Sequence, residues 1–487
     1  MFAKMINNKY QTVIGLEVHA QLSTKSKLFS GDSISFGADA NTHVSPISLA
    51  HPGTLPVMNE TVLQLAIKLG LALNCTIEKQ NYFARKNYFY PDLPKGYQVS
   101  QHTAPICNGG YLPIQTINGK KNVKLNRIHM EEDAGKSIHD LFENYSAIDL
   151  NRAGTPLLEI VTEPDLNSAD EVYTYLTEMR KLLRWLNVCD GNMEEGSMRC
   201  DANISVRLHG DTKLGTRVEV KNLNSIRNVK KAIEIEVARL ITLTENGEKI
   251  TQETRSYNAD NNTTFSLRSK EEADDYRYFP EPDLPPFVIS ESYIQNVEAQ
   301  MPALPAILQE KYVTEFNLSA YDAAMLCADK EDTILFEAVS SITGNYKSTA
   351  NWITGPIKNY CNEHNITLKD FPLNAIKIAD IINFTDTGKI HFNVASTKLM
   401  EAMIVEKIPS AETLATVMNL KQESNFDTLE NWANDVLISM PDKVKEYKAG
   451  KKGLIGLFAG QVKKLSGGKA DMETVTKILE EKLSSSN

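Results

Sequence analysis

The chain is 487 residues long with a formal net charge of -10 and a pI near 5.6. That length exceeds one core and suggests about three domains, while the acidic balance excludes a surface that coats nucleic acid throughout and leaves room only for a local contact. No apolar run reaches the roughly 18 residues of a spanning helix, and Met1 to Tyr10 is polar with two lysines, so the chain reads as soluble, unexported and cytoplasmic, with no membrane partner.

Up to about residue 290 the sequence is rich in Gly, Pro, Asn and aromatic residues with short alternating runs, which predicts an antiparallel sheet carrying inserted helices. Val13 to His19 is the first strand, with Ile14, Leu16 and Val18 on one face and Glu17 and His19 on the other. A carboxylate and an imidazole about 7 Å apart on one face can both reach a metal ion, although an edge strand with a wet face has the same pattern. Arg85 to Gln98 interleaves cations with aromatics, which suits stacking on nucleotides and equally suits simple packing.

The most informative stretch is His129-Met130-Glu131-Glu132-Asp133-Ala134-Gly135-Lys136-Ser137. Two like charges ~4 Å apart repel by about 4 kcal/mol at an effective dielectric near 20, so a partly enclosed acidic run wants a cation. Mg²⁺ serves, because it takes a few carboxylates together with waters and phosphate oxygens; a solvated acidic turn is the alternative. Gly135-Lys136-Ser137 mimics the end of a phosphate-binding loop, but that motif needs glycine where Met130 stands, and the intervening acids would repel phosphates. Any ATP here must therefore be held through magnesium and basic side chains on a sheet, not by such a loop. In an extended strand Glu131 and Glu132 point to opposite faces, so both ligate only if the backbone bulges, and the sequence leaves open which one faces in.

Ser168-x-x-Glu171 is a capping box ahead of a helical stripe of Val172, Leu176, Met179 and Leu183. Met193 to Arg199 is a second paired-acid turn, and it leads into a strand with Cys200, Ala202, Ile204 and Val206 on the core face and Arg199, Asp201, Asn203, Ser205 and Arg207 in a polar row. A further strand sets Arg217, Glu219 and Lys221 opposite Val218 and Val220. A sheet face with mixed acids, guanidinium and ammonium fits a cradle for a charged ligand, as it also fits a salt-bridged solvent face. Asn224 or Ser225 caps a helix with the stripe Val229, Ile233, Val237 and Leu240. Asp274 to Asp283 repeats the aromatic and cationic theme of residues 85–98.

After Pro285-Pro286 the text becomes helical, with helices expected at Ala320 to Asp329 and Thr333 to Ile342 in a connector spanning 291–410. From 411 a small helical module follows. Between 443 and 469 it holds eight lysines against the single acid Glu446, with Gly450, Gly453, Gly456 and Gly460 among them. Small residues let a backbone approach a partner closely, so a contact with a phosphate backbone competes with helix packing under a basic face. The six cysteines, at 75, 107, 189, 200, 327 and 361, offer neither a C-x-x-C pair nor zinc spacing and read as reduced thiols. No G-x-S-x-G elbow, amidase loop or catalytic cysteine is visible.

Ile14 to Gln21 (IGLEVHAQ), Arg85 to Gln98, His129 to Lys136, Leu150 to Asp165 (LNRAGTPLLEIVTEPD), Glu194 to Asn203 (EEGSMRCDAN), Lys221 to Arg227 and Asp274 to Asp283 together resemble the B-subunit family of aspartyl/glutamyl-tRNA amidotransferases. The match is dense over residues 11–290, weak in the middle and clear again from Tyr447 to Asp471. The resemblance implies an α+β chain. Residues 1–290 would form a mainly antiparallel cradle similar to the glutamine synthetase catalytic fold, 291–410 a helical connector and 411–487 a tRNA-binding tail. It implies ATP and Mg²⁺ as cofactors, phosphorylation of the side-chain carboxylate of Glu-tRNA(Gln) or Asp-tRNA(Asn), and displacement of that phosphate by ammonia. The ammonia comes from a separate amidase, the A-subunit, which agrees with the missing hydrolytic nucleophile. The heterotrimer is completed by a small C-subunit.

Carried over position by position, the resemblance puts metal ligands at Glu17, His19, Glu132 and Asp201, with Glu131 and Asp133 as neighbours. It makes Glu131, Glu132, Lys136 and Arg199 catalytic candidates and Arg85, Lys86, Arg152 and Lys221 partners of ATP phosphates. It assigns tRNA contact to Lys448, Lys451, Lys452, Lys463 and Lys464. One departure is clear: where many members carry Cys-x-x-Cys, this chain has Ser45-Pro46-Ile47-Ser48, and serines are poor zinc ligands, so no zinc is expected. A non-catalytic tRNA-docking scaffold of the same complex is the second reading, and a free-standing metal-dependent phosphotransferase is a third.

Overall fold

The computed structural model describes residues 9–101, 103–139, 141–269, 276–406, 410–423 and 425–484. Asp274 and Asp275, which open the second aromatic stretch, lie outside the described residues. The chain divides into two compact units, Met1–Leu304 and Pro305–Asn487. The first carries the sheet and the second is helical, an α+β architecture.

Among the described residues the sheet of the first unit has thirteen strands. In chain order its main members are β1 (Tyr10–Gln21), β2 (Ala84–Asn87), β3 (Tyr97–Ser100), β4 (Gly119–Glu132), β5 (Pro156–Thr162), β6 (Met198–Leu208), β7 (Val218–Lys221), β8 (Glu253–Asn258) and β9 (Thr263–Ser269). In space they run β9-β8-β7-β6-β1-β5-β4-β3-β2, so the two partners of β1 come from distant parts of the chain. These neighbours are antiparallel except β7 with β8.

Period-two alternation sorts the two faces as the sequence predicts. Ile14, Leu16, Val18, Cys200, Ala202, Ile204, Val218 and Val220 are all buried on one side. Helices α1 (Ala169–Trp185) and α2 (Ile226–Glu245) pack on each other and against the sheet. Tyr175 of α1 lies against Cys200. Each of the Ile, Leu and Val side chains contributes about 1.5–3 kcal/mol by leaving water, which fixes the strand register because a slip by one residue would exchange the faces.

Ser168 caps α1 by accepting from the Glu171 N–H at 3.1 Å, and Ser225 caps α2 by accepting from the Asn228 N–H at 3.1 Å. The stripe of α2 differs from expectation in one place: Val237 is half-buried and Glu236 is fully buried instead. That charge is tolerable because Arg239 grips it with two nitrogens, Thr264 Oγ1 donates to it at 2.9 Å and Arg255 stands 3.5 Å away.

In the second unit, helices occupy Ala320–Leu326 and Lys330–Thr343, so the first expected helix ends early and the second begins early, with Asp329 at the cap position. Towards the C-terminus the helices Phe426–Ser439, Pro441–Lys448, Ile455–Leu465 and Met472–Ser484 enclose a core that includes Leu429, Val436, Phe458, Val462, Ile478 and Leu479. Among the described residues no helix is long and apolar enough to cross a membrane. The six cysteines are free thiols.

Candidate active site

The polar face of the central strands gathers acids in register. Glu17 lies opposite Asp201, and His19 lies opposite Arg199 on one side and Glu159 on the other. Glu159 in turn faces His129, and Asn203 faces Glu219. Two sets of ligand atoms result, each with all members within 4.8 Å of one another: His19, Glu131 and Glu159, and Glu17, Asp201 and Glu219. His19 Nε2 stands 3.4 Å from Glu159 and 3.8 Å from Glu131, and His129 Nε2 stands 3.5 and 3.6 Å from the same two carboxylates.

The electrostatics of the face follow from that crowding. Burial, then the charges of Glu159, Asp201 and Glu219, push the Glu17 carboxyl above its ordinary range. Burial opposes a charge on His19, yet the hydrogen bond and charge of Glu159, with Glu131 and Asp201 behind it, raise the imidazole to about 9. Glu159 is buried, but His129, His19 and Arg127 outweigh that and hold it well below the usual carboxylate range. Lys221 sits 3.1 Å from Glu219 and also pairs with Asp201, and these acids overcome its burial to raise its ammonium. Glu17, Asp201 and Glu219, an all-oxygen set in which one acid is destabilised by its neighbours, fit a hard divalent cation of the magnesium class.

The acidic run of residues 131–133 divides three ways. Glu131, paired with Ser100 in register, turns to His19. Glu132, expected beside Glu17, His19 and Asp201, is not brought to them. It lies on the opposite side, where its carboxylate accepts from the Val99 N–H at 2.8 Å and pairs with Lys95. The reason is the pleat: β4 stays extended through both residues without a bulge there, so neighbouring side chains diverge. Asp133 accepts from Arg199 at 2.9 Å and Gln21 at 3.0 Å, with Arg152 at 3.5 Å. Burial pushes its carboxyl up, but the two guanidiniums win and hold it low.

The turn after it is packed rather than open. The Gly135 N–H bonds the Asp92 carbonyl at 2.8 Å, and a Cβ at Gly135 would meet the Asp149 carbonyl at 2.8 Å. Gly135 is thus required for close approach and leaves no phosphate-cradling loop, and exposed Lys136 begins a short strand, Lys136–Ile138. Lys136, Arg152, Gln21 and Ser197 line a groove of about 760 Å³ that Ile34 and Phe36 also line.

Arg85 is not brought to the acidic face. It forms a two-nitrogen pair with buried Glu281 at 2.6 and 2.7 Å, adds Asp283 at 3.1 Å and stacks on Tyr97. Lys86 lies 4.9 Å from the ring centre of Tyr276. In the second unit Lys448, Lys451, Lys452, Lys463 and Lys464 are all exposed. Lys451 pairs with Glu446 at 3.0 Å and Lys452 lies over Tyr447 at 4.3 Å. A Cβ at Gly453, Gly456 or Gly460 would meet nothing within 4 Å, so backbone is bare on this face. Where the sequence replaces Cys-x-x-Cys, the Ser48 hydroxyl and the Ser45 N–H both donate to Asp32.

Glu159 is the member of this acidic face that sequence reasoning did not single out. Its signal is a lone acid in the apolar run Pro156-Leu-Leu-Glu-Ile-Val-Thr of an interior strand, where a charge needs a partner.

A family model described as the GatB/GatE catalytic domain matches residues 12–295, and one described as the GatB domain matches residues 334–483. Curated relatives are similar over nearly their whole length. A protein of Thermodesulfovibrio yellowstonii is 45% identical across 97% of this chain and 98% of its own. One of Chlorobium phaeobacteroides is 46% identical across 97% and 99%, and one of Burkholderia ambifaria 46% across 98% and 99%. Each is named as the B-subunit of an aspartyl/glutamyl-tRNA(Asn/Gln) amidotransferase.

Proposed function

The chain belongs to the B-subunit family of aspartyl/glutamyl-tRNA(Asn/Gln) amidotransferases, and from that premise we propose that it activates the side-chain carboxylate of Glu-tRNA(Gln), Asp-tRNA(Asn) or both. The reaction is that of an ATP-dependent carbon–nitrogen ligase with glutamine as amide donor. ATP supplies the phosphoryl group, and ammonia from the amidase, the A-subunit, then displaces phosphate to leave Gln-tRNA(Gln) or Asn-tRNA(Asn). The cytoplasmic heterotrimer is completed by a small C-subunit.

The observation that carries this reading is the pair of ligand clusters on one sheet face, with cations at its margins. Magnesium held by His19, Glu131 and Glu159, and by Glu17, Asp201 and Glu219, would offset the charge of the phosphates and of the acceptor carboxylate. His19 ligates only as the neutral imidazole, so ligation displaces a proton from Nε2. Arg199 and Lys221 border the face and supply positive charge toward phosphate oxygens, while Lys136 and Arg152 line the groove through which an acceptor end can approach. Glu132 serves from the rear of β4 by anchoring Lys95 and β3 rather than as a ligand. The sheet face supports a glutamine synthetase-like arrangement of the cradle in residues 1–290. The exposed lysines and bare glycines support tRNA contact by the tail, residues 411–487, joined through the 291–410 connector.

The test is phosphate release from ATP by the reconstituted complex, dependent on mischarged tRNA. His19→Ala and Glu131→Gln are expected to abolish it while tRNA still binds; unchanged turnover would give the scaffold reading instead. Turnover by the isolated chain would give the free-standing phosphotransferase.

A further inference from the structure

The three acids of residues 131–133 have three different sets of partners, and those of Asp133 are mainly cationic. Its Oδ2 takes Arg199 Nη2, Gln21 Nε2 and, at 3.5 Å, Arg152 Nε, and its Oδ1 takes the Ala134 N–H at 3.0 Å. A carboxylate has about four lone-pair sites, and three of them are taken by the Arg199, Gln21 and Ala134 hydrogen bonds, with the Arg152 charge alongside. Two guanidiniums thus share the one carboxylate of Asp133.

We propose that Asp133 is a positioning residue whose buried carboxylate pins Arg199 beside the carbonyl-held Arg152, so that the two form a two-armed phosphate clamp at the end of the ligand-bearing face. This rests on the reading that the face binds magnesium and ATP. Arg199 stands opposite His19 in register and within electrostatic reach of Glu131 and Asp201, so its position is set between both clusters. Arg152 donates its Nε to the Ala134 carbonyl at 3.0 Å and its Nη2 to the Gly135 carbonyl at 2.6 Å. Because the guanidinium is a rigid plane, fixing two nitrogens also fixes the direction of Nη1. Without the Asp133 charge Arg199 would lose its anchor, whereas Arg152 would keep its two carbonyl bonds. A ligand phosphate would then have to order Arg199 itself.

The reconstituted complex carrying Asp133→Asn, Arg199→Ala and both together tests this, with KM for ATP, kcat and the magnesium-dependent rise in Tm as readouts. Asp133→Asn is expected to raise KM for ATP by about tenfold and to lower kcat/KM by about 10²-fold, the cost of an Å-scale misplacement. In the Arg199→Ala background the further effect of Asp133→Asn is expected to shrink to within about twofold, since both changes break one unit. The magnesium-dependent rise in Tm is expected to persist in Asp133→Asn. Independent, multiplying effects would overturn the proposal, as would loss of the magnesium response, which would make Asp133 a ligand. If Asp133→Asn does not fold, Asp133→Glu keeps the charge, and it must show the same raised KM in weaker form; an unchanged KM overturns the clamp. A wild-type complex with neither ATP binding nor tRNA-dependent turnover would refute the parent reading. Normal wild-type turnover with uncoupled variants would refute the clamp alone.

Discussion

Glu17→Gln should make the metal-free protein more stable while removing part of its response to magnesium. The ligand atoms of Glu17, Asp201 and Glu219 lie within 4.8 Å of one another, and at an effective dielectric near 20 each such pair repels by about 3.5 kcal/mol. Lys221 pairs with the other two acids and cancels roughly one of the three charges. Solvent reaching the face trims the remainder, leaving about 1–3 kcal/mol. Glutamine keeps the amide oxygen that accepts from Asn203 Nδ2 at 3.0 Å, so no hydrogen bond is lost. The folded-state carboxyl is raised above its ordinary value, so the unfolded state releases this proton at lower pH. The penalty of the wild type is therefore present at neutral pH and disappears as pH falls through the raised value toward the usual carboxylate range. Thermal melts with chelator at about pH 7.5 should show the first transition of Glu17→Gln higher by about 2–8 °C, an advantage that vanishes in acid. Added magnesium should raise the wild type more than the variant. A variant that melts lower without metal, or responds to magnesium as the wild type does, would refute the reasoning and make the face a structural salt-bridge network.

The two neighbouring glutamates give opposite outcomes: Glu131→Gln should abolish most of the magnesium-dependent rise in Tm, whereas Glu132→Gln should retain it but lower the baseline Tm, because Lys95 loses its buried counter-charge. Arg85→Ala should cost about 3 kcal/mol in denaturant unfolding by stranding the buried Glu281, with KM for ATP unchanged; a raised KM would restore Arg85 to the phosphate site. Replacing Lys451, Lys452, Lys463 and Lys464 with alanine should weaken tRNA binding and reduce the slope of log K against log salt by about 3. An unchanged slope would remove the tail from the tRNA interface.

What the sequence made legible is what period two encodes. The faces of β1, β6 and β7 follow from alternation alone, because each strand sits inside one sheet with a single buried side. The caps at Ser168 and Ser225 were equally readable, since both depend on contacts within three residues. Glu236 was not, because its burial is licensed by Arg255 and Thr264 on strands that come later in the chain. The partner of Arg85 was hidden for the same reason: its cationic, aromatic neighbourhood is real, but Glu281 lies almost two hundred residues downstream and takes two of its nitrogens.

The acidic run shows where local reading ends and topology begins. Alternation dictates that Glu131 and Glu132 diverge, yet only the placement of β5 beside β4, with β1 beyond it, decides which of them meets His19. Once that neighbour order exists, Glu159 is carried between His19 and His129 by register, and the face acquires its ligands from separate segments of the chain. The consequence is chemical: no short motif in this chain holds the site, so none of its carboxylates is individually sufficient. One short stretch therefore supplies a candidate ligand at Glu131, an anchor for β3 at Glu132 and an arginine holder at Asp133, three roles set by direction rather than by residue type.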